Sequence, residues 1–115
     1  MKVEERNMNE IFVKYNFKPT KETTKAIEYE HIISKDVIYA LATKGIGIVL
    51  HPDTAESLKL TGRSDGYVHN TAMRRFPRRK NDGKTYIYYG SSFKFQSEEQ
   101  LDEFLNGLDE LFKNR

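Results

Sequence analysis

The stretch VIYALATKGIGIVL, residues 37–50, decides the fold. Two apolar runs, Val37 to Ala42 and Ile46 to Leu50, flank Thr43-Lys44-Gly45. A connection this short cannot carry a parallel crossover, and Gly45 is free to take positive φ, so the runs form an antiparallel hairpin. Both runs are apolar at nearly every position, which places the hairpin at the centre of its sheet. Gly47 inside the second run marks a bulge or a close backbone approach.

On the N-terminal side, residues 24–33 alternate with period two. Ile27, Tyr29, His31 and Ile33 share one face, and Ala26, Glu28, Glu30 and Ile32 the other, as in a strand with one face wet. Before it, Met8, Ile11, Phe12 and Tyr15 stand at helical spacing over residues 3–15, with Glu4 and Glu5 in the favoured first turn. Pro19 ends that helix by forcing Lys18 out of helical geometry. On the C-terminal side, Asp53 and Glu56 predict a short helix over residues 54–60. Tyr67 to His69 reads as a brief strand. Asn81-Asp82-Gly83 is a turn signal before a strand at Thr85 to Tyr89, Gly90-Ser91-Ser92 reads as a further turn, and Phe93 to Phe95 as an edge strand. The last element is an amphipathic helix. Ser97 and Gln100 form its capping box, and Leu101, Phe104, Leu105, Leu108, Leu111 and Phe112 form its apolar stripe. Gly107 costs such a helix about 1 kcal/mol relative to Ala and implies close packing.

These elements predict an α+β fold: an antiparallel sheet of about five strands, with the N- and C-terminal helices on one face. The 115 residues suit a single domain, 1–115. There is no cysteine, so disulfides and thiolate metal sites are excluded. The N-terminus MKVEERNMNE has no apolar signal-peptide core, and no run approaches the roughly 20 residues of a membrane span. The expectation is a cytoplasmic protein without a membrane partner.

The net charge of +2 conceals a strong asymmetry. Residues 1–58 carry −1, residues 59–94 carry +7, and residues 95–115 carry −4. The positive charge centres on an Arg-rich loop, residues 69–84, where Arg74, Arg75, Arg78, Arg79 and Lys80 fall within a span of seven. Burying even one unpaired guanidinium is prohibitive, so these groups are solvated, paired or turned to an anion. Guanidinium forks suit phosphate, and the neighbouring Phe76, Tyr86, Tyr88 and Tyr89 suit stacking on bases. His69 and Asn70 add donors, and Lys84 a further charge. The competing reading is a solvated charge run facing the acidic C-terminal helix.

The expected function is therefore a small non-enzymatic nucleic-acid- or phosphate-binding module. Its contact residues are His69, Asn70, Arg74, Arg75, Arg78, Arg79, Lys80, Lys84 and Tyr88. The alternative is a protein–protein interaction or inhibitor-type domain using the same Arg/Tyr surface. A small metal-dependent nuclease is a third reading, in which Pro52-Asp53 and Asp82-Gly83-Lys84 supply two carboxylates and a lysine around Mg²⁺. That pattern needs its second half on a strand, whereas Asp82-Gly83 signals a turn. His31, His51 and His69, with Asp53 or Glu30, could in principle hold zinc, but no zinc-binding spacing is present. No cofactor, metal or catalytic residue is expected.

Overall fold

The computed structural model describes residues 2–41, 45–81 and 85–115, with side chains placed outside residues 2–7 and 81. Helix α1 spans Lys2–Lys14. Strands β1 (Phe17–Glu22), β2 (Ala26–His31), β3 (Val37–Leu41) and β4 (Ile46–Leu50) follow. Helix α2 (Pro52–Ser57) and a 3-10 turn (Thr61–Arg63) lead to β5 (Tyr67–His69), β6 (Arg78–Asn81), β7 (Thr85–Phe95) and helix α3 (Glu98–Lys113). The seven strands form an antiparallel sheet in the order β1-β2-β3-β4-β7-β5, with β6 also on β7. The fold is α+β. The β3–β4 hairpin lies inside the sheet as its composition requires, and Gly45 takes φ +82°. The Thr43-Lys44 part of its turn lies outside the described residues. Among the described residues, no helix is long and apolar enough to cross a membrane.

Both faces of the sheet are covered, by different parts of the chain. On one face, Ile38, Ala40, Ile48, Leu50 and Phe93 pack with Phe12 of α1 and with Leu101, Leu105, Leu108 and Phe112 of α3. Tyr29 stacks on Phe12 at 4.1 Å between centroids and donates to Asn9 Oδ1; burial pushes its phenol up to about 12. On the other face, Ala26, Tyr39 and Val49 pack against Met73 and Phe76, from the segment between β5 and β6. This second, smaller core explains why β3 and β4 are apolar on both sides. It also corrects the expected wet face of β2, whose pattern is largely buried throughout.

The strands differ from expectation in four places, one of them β6, which forms directly after Pro77 in a segment without strand periodicity. Asn16 ends α1 in left-handed geometry (φ +72°), and the chain turns straight into β1. Pro19 is tolerated there because β1 is an edge strand, where a missing N–H costs no ladder bond. β2 ends at His31, leaving Ile32 and Ile33 exposed in the following turn. Finally, Gly90-Ser91-Ser92 is no turn. β7 runs unbroken for 11 residues, with both serines buried inside it. A Cβ on Gly90 would lie 2.6 Å from Leu50 O, 2.6 Å from Val49 Cγ1 and 3.0 Å from Phe76 Cδ2. The glycine is therefore the crossing point of β4, β7 and the covering segment. Gly47 causes no bulge, because the β4–β7 register is continuous.

The helix caps form as local chemistry dictates, with two adjustments. Ser97 Oγ accepts from Gln100 N, while Gln100 Oε1 turns back to Gln96 N rather than to the cap itself. For α2 the cap is His51, whose Nδ1 accepts from Asp53 N, and Pro52 opens the helix. Gly107 corrects the expectation of close packing. A Cβ there meets nothing within 4 Å, because the residue borders an open cleft between α3 and β7 lined by Leu60, Phe93, Phe95, Phe104 and Leu111. Gly107→Ala is accordingly expected to stabilise the protein by up to about 1 kcal/mol, read as a raised midpoint in urea unfolding.

One buried polar knot ties the helices to the sheet. His31 and Asp109 are almost wholly buried, with His31 Nε2 at 2.7 Å from Asp109 Oδ1. His31 Nδ1 accepts from Ser34 N, so Nε2 carries the proton and donates to the carboxylate. Asn16 Nδ2 reaches both oxygens of the same carboxylate at 3.1 and 3.2 Å. The Asp109 carboxyl is lowered: burial pushes it up, but the bonds from His31 and Asn16 and the Lys113 charge together outweigh that.

Candidate functional site

The Arg-rich loop is a strap laid across the second face, and its apolar residues are anchors. Asn70 shapes its start: its side-chain Oδ1 accepts from Ala72 N, and its backbone N donates to Tyr88 O. Met73 is fully buried, and Phe76, only 5% exposed, meets Tyr39 edge-on at 4.8 Å and His51 at 5.4 Å. Phe76 is therefore a core residue and not a surface for stacking on bases. The Tyr39 hydroxyl accepts from Arg75 N and donates to Glu28 Oε2 at 2.8 Å. Burial and the Glu28 carboxylate hold this phenol well above its ordinary range, against the opposing Arg75 N–H, so it remains a donor.

The five loop cations fall into distinct environments. Arg75 is half-exposed and stands 3.9 Å from both Glu28 Oε2 and Glu30 Oε2 on β2. Arg79 is held by three rings. Its guanidinium lies 4.6 Å from the centroids of both Tyr67 and Tyr89, and its Nε donates to His69 Nε2 at 3.2 Å. Tyr67 and Tyr89 meet edge-on at 5.4 Å, and His69 stacks on Tyr89. Arg74, Arg78 and Lys80 are exposed, and among the described residues none has an ion-pair or side-chain hydrogen-bond partner.

Strand alternation explains this sorting. In the β6–β7 pair, Arg78 stands opposite Tyr88, Arg79 opposite Ile87, and Lys80 opposite Tyr86. Tyr88 packs at the edge of the second core, so Arg78, Lys80, Tyr86 and Tyr88 share the strap's face. Phe93 packs in the helix-side core, so Tyr89, an even number of residues away, faces the helix side, and Arg79 with it. Tyr88 O accepts from Asn70 N while Tyr89 N donates to Pro77 O. These two atoms belong to one peptide group, whose C=O and N–H point to opposite edges of the strand, so β6 continues the line of β4 along one edge of β7 while β5 occupies the other.

The acidic C-terminal helix lies on the far face from the strap. Glu10, Glu98, Glu99, Asp102 and Glu103, with Lys14, line a groove between α1 and α3. The loop's charge is thus not neutralised by α3; its only partners among the described carboxylates are Glu28 and Glu30. Lys84 and Asp82 lie outside the described residues. The histidines are separated in the fold: His31 in the buried knot, His51 capping α2, and His69 beside Arg79. Among the described residues no three His, Asp or Glu side chains gather to hold a metal.

Sequence reasoning missed Tyr67 as a member of the site, and named Tyr86 as a stacking ring without counting it among the contact residues. Both are more than half exposed, at 51% and 60%. The signal for Tyr67 was its two-residue offset from His69 in a strand. Compared with known proteins, the chain matches no family model and no curated sequence.

Proposed function

We propose that this protein is a nucleic-acid- or phosphate-binding module working through the strap face of its sheet. The observation that carries the reading is the exposure of Arg74, Arg78 and Lys80, without partners among the described residues, away from the acidic helices. Arg75 and Arg79 belong to the scaffold of that surface: one is drawn to Glu28 and Glu30, the other is clasped by Tyr67 and Tyr89. Contacts of this kind position a phosphate backbone and carry little base specificity. The acidic opposite face repels the same ligand and so orients its approach.

The test is a fluorescence-anisotropy titration of a labelled oligonucleotide at low salt. The variant combining Arg74→Ser, Arg78→Ser and Lys80→Ser is expected to bind at least tenfold more weakly than wild type while melting at the same temperature. Equal affinity for the two proteins would overturn the reading.

A further inference from the structure

The β6–β7 ribbon carries more than charge. On the strap face, Tyr86 stands directly opposite Lys80, and Tyr88 directly opposite Arg78. Directly paired residues have their Cβ atoms about 5 Å apart. Tyr86 and Tyr88 are two residues apart on one strand, so they are offset by about 7 Å. The result is two successive aromatic–cation pairs in register. Tyr86 is 60% exposed, and Tyr88 is only partly buried where it packs against the second core. The intervening Arg79 is removed from this face by its clasp on the other side.

From this arrangement we infer that the ligand is single-stranded nucleic acid, with two consecutive bases stacked on Tyr86 and Tyr88 and their phosphates met by Lys80 and Arg78. The inference rests on the nucleic-acid reading proposed above. An offset of about 7 Å is too long for two bases that stay stacked on each other, about 3.4 Å apart in a duplex. It suits neighbouring bases splayed from an extended strand. Every base has a π-face, so such a platform tolerates any sequence. A duplex presents its phosphates to the same cations but keeps its bases inside the stack, so it gains nothing from the tyrosines.

The experiment compares labelled dT15, labelled U15 and a dT15·dA15 duplex at one salt concentration, with wild type, Tyr86→Ala and Tyr86→Phe. Tyr86 is exposed, so its variants are expected to fold; matching melting curves verify this. Wild type is expected to bind at least one of the single strands roughly tenfold or more tighter than the duplex. Tyr86→Ala is expected to weaken single-strand binding by roughly 5- to 100-fold, with Tyr86→Phe restoring it and duplex binding unchanged. The two single strands distinguish DNA from RNA as the source of the stacked bases. Duplex binding as tight as single-strand binding, unaffected by Tyr86→Ala, would overturn this inference and leave the nucleic-acid reading standing. Failure to bind all three would overturn both.

Discussion

Replacing Gly90 with alanine is expected to destabilise the protein by about 3 kcal/mol, at the upper end of the usual cost of overpacking. The new Cβ would lie 2.6 Å from Leu50 O, a main-chain atom of an inner strand, and 2.6 Å from Val49 Cγ1. Neither can yield without shifting β4. Phe76, 3.0 Å away, would be lifted as well, loosening the strap that carries Arg74 and orients the ribbon. A fall in melting temperature on the order of 10 °C is expected, with weaker oligonucleotide binding as the strap rises. A variant melting within a degree or two of wild type would show that the strap is not pinned at this crossing.

Asp109→Ala is expected to cost about 2–4 kcal/mol, because it strands the buried His31 Nε2–H and the part-buried Asn16 amide in one step. Asp109→Asn retains an acceptor for His31 and is expected to cost less. The pair of variants also separates charge from packing. Asp109 is lowered in the folded protein from an ordinary value of 3.8. Its contribution to stability is therefore fully present above that value and is lost as pH falls through the lowered one. Urea unfolding of wild type between pH 6 and pH 3 is expected to show this loss, and the Asp109→Asn protein a flatter profile. An identical acid slope in both would assign the acid sensitivity to other carboxylates.

The fold was legible where local pattern and tertiary environment agree. The β3–β4 hairpin, the Ser97 half of the α3 capping box and the apolar stripe apart from the exposed Leu111 each rest on short-range chemistry, and each formed as read. Two of the failures share one cause: the second layer on the sheet is a loop and not a helix. Met73 and Phe76 sit among arginines without periodicity, so nothing local marks them as core. Without that layer, Gly90-Ser91-Ser92 resembles a turn, although small residues there are the consequence of the strap's close approach. β1 was hidden by Pro19 because edge position is a property of the sheet. In the candidate site, the charge cluster was visible, but its division into Arg75, Arg79 and the three exposed cations was not. That division depends on strand alternation in β6 and on partners from β2, β5 and β7.

The most direct test of the central claim is the salt dependence of oligonucleotide binding, measured by anisotropy from low to moderate salt. Three strap-face cations without partners among the described residues predict a log–log slope of about −2 for single strands. A slope of about −3.5 would mean that all five loop cations reach phosphates, Arg75 and Arg79 included. The Arg74/Arg78/Lys80 triple variant is expected to bring the slope close to zero. Binding by wild type that ignores salt, or a triple variant that keeps the wild-type slope, would contradict the account.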